Sequence, residues 1–90
     1  GLTRVTRSEG ALRMVVLGVL ARIDAPEQNR VCEELGQLPG VSTFSVGESH
    51  RVGILVERDT IEEAHEAVSK ELVNVPGVMA AWPVFSHVEQ

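Results

Sequence analysis

The chain is poor in the residues on which most protein chemistry is built. It has a single cysteine, Cys32, among 90 residues. That excludes an internal disulfide, a Cys-x-x-Cys metal carrier and a cysteine-ligated iron–sulfur cluster, and it fits a reducing compartment. Aromatic residues number three, Phe44, Trp82 and Phe85, with no tyrosine. An RNA-recognition sheet needs aromatic platforms on its central strands and basic surroundings. The longest apolar stretch, Met14 to Ala21, is far shorter than the roughly 20 residues that span a bilayer. Neither Gly-x-Gly-x-x-Gly nor a P-loop occurs. Arg22 follows the first apolar run, but without the glycine-rich cradle that an acylphosphatase would place before it. His50, His65 and His87 lack the spacing of a metal pair, and no nucleophile motif frames a serine or Cys32. Cys32 lies beside an apolar stripe and reads as a small core residue. These absences argue against an enzyme and against a resident metal or cofactor.

Acidic residues outnumber basic ones, 13 to 8, for a net charge of −5. The excess is uneven. Residues 1–13 hold Arg4, Arg7 and Arg13 against Glu9, a net of +2, so the rest of the chain carries −7. Such a surface repels phosphate backbones and suits a basic peptide. Its plainer use is solubility. Residues 1–13 show neither helix nor strand period. They are expected to be a disordered or expression-derived tail, with Met14 a candidate start, ahead of a single domain over 14–90. No secretory signal pattern is present, so the expected compartment is the cytoplasm, without membrane insertion.

What the chain does have is a phrase written twice. Residues 34–41 read Glu-Leu-Gly-Gln-Leu-Pro-Gly-Val and residues 71–78 read Glu-Leu-Val-Asn-Val-Pro-Gly-Val, an offset of 37. Each is the tail of an amphipathic segment, a Pro-Gly break and an apolar run, which is how a helix hands over to a strand. A βαβ unit repeated once predicts the βαββαβ, ferredoxin-like sandwich.

Met14–Arg22 is apolar on both parities, as in a central strand covered on each face. Asp24-Ala25-Pro26 opens a helix with proline in its first turn, and Val31, Leu35 and Leu38 give it one apolar stripe. Val41–Val46 reads as an edge strand, Gly47–Arg51 as a hairpin loop and Val52–Glu57 as the return. Pairing Phe44 with Ile54 and Val46 with Val52 puts their large residues on one side. Thr60-x-x-Glu63 caps a second helix, with Asp59, Glu62 and Glu63 at the positive end of its dipole. Ile61, Ala64, Val68, Leu72 and Val75 form its stripe. Pro83 places the last strand, Val78–His87, at an edge or a bulge. The expected fold class is α+β, a four-stranded antiparallel sheet in order 4-1-3-2 with two helices on one face. The other face has no helix left to cover it. An apolar stripe there is a docking surface or a homodimer contact.

The order of these pieces resembles the NapD family, small cytoplasmic chaperones of periplasmic nitrate reductase. The likeness runs from Met14 to His87. It rests on Met-Val-Val-Leu-Gly-Val-Leu at 14–20, Leu-x-x-Leu-Pro-Gly-Val at 35–41, Gly-x-x-x-x-x-Gly-Ile-Leu-Val-Glu at 47–57, and Val-Pro-Gly-Val-Met-Ala-Ala-Trp-Pro-Val-Phe-Ser-His at 75–87. Phe85 stands where the family often has tyrosine, and Pro83 interrupts the last strand. The resemblance implies a non-enzymatic protein that binds the twin-arginine signal peptide of an exported molybdenum enzyme. Holding that peptide delays export until the cofactor is inserted. On that reading, the candidate contacts in this chain are Leu55 and Trp82 for apolar contact and Glu57 and Glu48, on or near the hairpin, as carboxylates. Val15, Leu17 and Val19 would contribute from one parity of the first strand, or Val16 and Leu20 from the other; which parity faces outward is open. Trp82 reads equally well as core.

Two other readings use the same fold. A stand-alone Lrp/AsnC- or ACT-like module would sense a small molecule at subunit contacts. The ACT version favours glycines after the first strand, where this chain has Ile23-Asp24-Ala25-Pro26. A plain oligomerisation module would bury the sheet face in a dimer.

Overall fold

In the computed structural model, which describes residues 14–89, β1 (Met14–Ile23) is a central strand with a neighbour on each side. The tail expected over 1–13 lies outside the described residues. A short 3-10 turn, Ala25–Glu27, carries Pro26 and leads into helix α1 (Gln28–Gly36). β2 (Val41–Ser45) and β3 (Arg51–Arg58) form the hairpin. Helix α2 (Ile61–Ala67) runs on through one π-helical turn, Val68–Leu72, before β4 (Val78–Glu89). The strands lie in the order β2-β3-β1-β4, every neighbour antiparallel. Read from the other edge, this is the expected 4-1-3-2 ferredoxin-like arrangement.

Both helices press on one face of the sheet. Val31 and Leu35 of α1, with Ala64, Ala67, Val68 and Leu72 of α2 and its extension, pack on Leu17, Val19, Ala21 and Ile23 of β1 and Val52, Ile54 and Val56 of β3. Burying each of the larger aliphatic side chains contributes about 1.5–3 kcal/mol. Among the described residues no polar or charged side chain is buried. The core is built by aliphatic packing, with Cys32 half-buried against it.

The repeated phrase has a physical cause. Gly40 and Gly77 both sit at positive φ, 71° and 100°, where a side chain is strained. Space is short as well. A Cβ on Gly40 would stand 2.5 Å from the Glu57 carbonyl oxygen, and one on Gly77 2.6 Å from Cγ2 of Val31. Each glycine turns the chain off a helix and into a strand. Arg30 braces the second turn: Nη2 donates to the Pro76 carbonyl at 2.9 Å, while Nε and Nη1 meet Glu27 and Glu34 at 2.6 and 3.0 Å. At the start of α2, Thr60 Oγ1 accepts from the Glu63 amide at 3.1 Å, the expected cap.

Pro83 satisfies both halves of its expectation. β4 is an edge strand, and the register shifts beside Pro83, where Gly18 pairs with Phe85 and Val19 with Pro83. Val84 is the extra residue of that bulge.

The hairpin register differs from the sequence expectation by one residue. Phe44 faces Gly53 rather than Ile54, Thr43 faces Ile54, and Ser45, not Val46, faces Val52. Val46 falls in the loop. The slip turns Phe44 from the helix side to the opposite side. Two packing demands decide it. Val41 enters the core opposite Val56, and the Phe44 ring takes the space over Gly53, 2.3 Å from where a Cβ would stand.

Gly40→Ala is expected to lower the unfolding free energy by about 1–3 kcal/mol through backbone strain and the clash with Glu57. The readout is a drop in the urea midpoint at unchanged slope. An unmoved midpoint would show that the left-handed turn is not required.

Candidate functional site: the open sheet face

Residues directly opposite in an antiparallel pair project to the same side, so the register defines the uncovered face as rows across the strands. At one end, Arg51, Arg22 and Ala80 form a row. Next come Phe44, Gly53, Leu20 and Trp82, then Ser42, Leu55, Gly18 and Phe85. Glu57, Val16 and His87 close the far end. The face is an apolar band two rows deep, with arginines at one end and a carboxylate at the other.

The band is built by rings laid on glycines. Carbons of the Phe85 ring lie 2.1–2.5 Å from where a Cβ of Gly18 would stand, and the Phe44 ring covers Gly53 in the same way. A side chain at either glycine would push the ring away. Phe44, Trp82 and Phe85 remain 45%, 38% and 50% exposed, so all three aromatic residues of the chain face solvent rather than core.

The residues expected to make contact divide between the two faces. Leu55, Trp82 and Glu57 come together on the open one. Val15, Leu17 and Val19 require correction: they share the parity that faces the helices, and Leu17 and Val19 are 2% and 1% exposed. The outward parity is Val16 and Leu20, of which Leu20 is half-buried and Val16 is only 8% exposed. It could not be otherwise, because the odd residues of β1 stand opposite Val56, Ile54 and Val52, the apolar side of β3. Glu48 lies in the loop beyond the arginine end, its Oε1 3.5 Å from Arg51 Nε and 3.6 Å from His50 Nε2. At about 3.4 Å per strand residue, Arg51 and Glu57 are roughly 20 Å apart. Glu48 and Glu57 therefore do not form one carboxylate cluster.

Beyond Glu57, where the sheet end meets helix α2 and the α1–β2 turn, a shallow groove of about 410 Å³ is lined by Met14, Pro39, Gly40, Glu57, Arg58, Asp59, Glu63 and Glu71. Four carboxylates surround Arg58, whose Nη2 is 2.9 Å from Glu71 Oε1 and whose Nη1 bonds the Pro39 carbonyl. Read in sequence, Asp59 and Glu63 were only helix-capping residues. The fold gives them a second setting, a negative wall next to Glu57. Phe44, Phe85, Arg22 and Arg51 also escaped notice as face residues. The one signal that could have found them is glycine inside two apolar strands, at 18 and 53, which marks a close approach by a neighbouring group.

Among the described residues no group of three or more His, Cys, Asp and Glu is placed to hold a metal ion, and no helix is long and apolar enough to cross a membrane. Cys32 is half-buried against the core.

No protein-family model and no curated protein sequence matches the chain. Solved structures do. The solution structure of the E. coli Tat proofreading chaperone protein NapD superposes with a TM-score of 0.70 at 19% identity, covering 80% of this chain and 76% of that one. The crystal structure of a hypothetical protein from Pyrococcus horikoshii superposes with a TM-score of 0.66 at 18% identity, covering 84% and 89%. At these identities the likeness is one of fold.

The stacked rings give the face a spectroscopic signature. The α-protons of Gly18 and Gly53 are expected to be shifted upfield by ring currents. Phe85→Leu should remove the shift at Gly18 alone, and Phe44→Leu that at Gly53 alone. Ordinary glycine shifts in the unsubstituted protein would sink the ring placement.

Proposed function

We propose that this protein is a cytoplasmic chaperone that binds the twin-arginine signal peptide of an exported molybdenum enzyme, a nitrate reductase by analogy with the resembled family. It holds back export until the cofactor is in place and has no turnover of its own. The observation that carries the reading is the open face, an exposed aromatic and aliphatic band that ends at Glu57 and the acidic groove.

A twin-arginine signal peptide offers the matching halves, a pair of guanidinium groups followed by an apolar stretch. An amphipathic helix laid along the band would bury its apolar side on Leu20, Leu55, Trp82 and Phe85. Its arginines would reach Glu57 and the carboxylates beside it, where planar, bidentate pairing is strong. Strand addition at the β4 edge is the less suitable mode, because Pro83 has no N–H to donate and the bulge breaks the edge. The fold likeness to a Tat proofreading chaperone supports the same reading.

The test is a calorimetric titration with a synthetic nitrate-reductase signal peptide, beside a control in which both arginines are lysine. Binding is expected with the first and lost with the second, since lysine keeps the charge but not the fork. Glu57→Lys and Phe85→Ala should each weaken binding by about tenfold or more. Unchanged affinity in Glu57→Lys would remove that carboxylate from the site. No heat with either peptide, at several temperatures and well above micromolar concentration, would turn the assignment to a small-molecule-sensing or oligomerisation module.

A further inference from the structure

We infer that the open face is also a self-association surface, on which two copies pack face to face about a two-fold axis running across the strands. The inference follows from how charge is laid out along the face. Arg22 and Arg51 stand at one end of the apolar band and Glu57 at the other. Among the described residues neither Arg22 nor Glu57 has an ion-pair partner. Arg51 has only a loose one, with Nε 3.5 Å from Glu48 Oε1 and no hydrogen bond.

A two-fold axis across the strands reverses the long direction of the face and keeps each strand over its own copy. Arg51 then lies over the partner's Glu57, both being on β3, and Arg22 reaches the same carboxylate from the adjacent strand. The operation repeats the contact at the other end, so one self-complementary patch satisfies both copies. Between the ends, the row of Phe44, Leu20 and Trp82 lies over the partner's row of Ser42, Leu55 and Phe85. Phe44 meets a small side chain, and Trp82 meets an aromatic ring. Sheets packed this way sit about 10 Å apart, a gap that side chains of this size fill. The other face-to-face two-fold, with its axis along the strands, would set Arg51 over the partner's Arg22 and leave each Glu57 over the partner's Val16, with the two carboxylates on neighbouring strands.

The inference needs no peptide and stands apart from the chaperone reading. The two share a face, so a bound peptide and a second copy exclude each other, and the dimer is the form in which the aromatic band is shielded when no peptide is present.

Sedimentation of the full 90-residue chain without peptide tests it. A reversible, salt-sensitive dimer is expected. Glu57→Lys alone, and Arg22→Glu with Arg51→Glu, should each weaken self-association at least about tenfold by setting like charges together. An equimolar mixture of the two variants should regain it, because each end of the heterodimer again pairs opposite charges. The mixture also controls for folding, since unfolded variants would not recover. Three results would overturn the inference: a monomer at about 1 mM, charge variants that dimerise as before, or a mixture that stays monomeric. A monomer that dimerises once residues 1–13 are removed would overturn it too, by assigning the face to the chain's own N-terminal segment. Peptide enters none of these readouts, so a failed peptide titration leaves them standing.

Discussion

The helix-covered side of the sheet takes one parity of its two central strands out of water, and the rest of the structure answers to that burial. Leu17, Val19, Ala21 and Ile23 meet Val52, Ile54 and Val56 under a cover of aliphatic residues from both helices. Two short helices are wide enough to cover one face of four strands and no more. With the odd residues of β1 committed to that core, the even ones must face away, whatever their hydrophobicity. Val16, Leu20 and Leu55 are therefore a consequence of where the helices lie. The apolar surface they make with Phe44, Trp82 and Phe85 is what the fold leaves over, and among the described residues it gathers all three aromatic side chains.

That surface is ordered by glycine as much as by the residues it displays. Gly18 and Gly53 lie in the two central strands, and each receives a ring from the edge strand beside it. The rings fill the missing side-chain volume over each glycine. A knob of β-branched residues at those positions would leave no bed for a helix or a second sheet. Charge then gives the band a direction, with arginines at the hairpin-loop end and carboxylates at the end where β3 passes into α2. A partner that carries both an apolar stripe and guanidinium groups can lie on it in one sense. A second copy turned end for end meets the same requirement, which is why the proposed peptide and the proposed dimer compete for one surface.

Much of this was legible in the linear chain. The twin Pro-Gly phrases marked both helix ends, because only glycine turns the backbone there at positive φ. The capping threonine, the stripes at 31, 35 and 38 and at 61, 64, 68 and 72, and the proline that consigns β4 to an edge all read correctly, since each is a local rule obeyed by residues a few positions apart. The site was legible only in part. Leu55, Glu57 and Trp82 were candidate contacts, Trp82 reading equally well as core, and the register brings all three to the open face. Val15, Leu17 and Val19 stood as contact candidates with the outward parity left open, and they belong to the inward one. Phe44 was put on the wrong side by a register one residue out.

The sequence by itself determined the element order, the strand topology and the existence of an uncovered sheet face, because these follow from periodicity, turn chemistry and the number of helices available. Only the tertiary structure decided which parity of β1 that face displays, that all three aromatic residues lie on it, and that Glu57, Asp59, Glu63 and Glu71 share a groove. The physical reason is the same in each case. A strand that is apolar on both parities carries no local signal of its inward side. The choice is made by cross-strand pairing and by volume, through Val41 against Val56 and through rings that fit only over glycine, and those partners are distant in sequence.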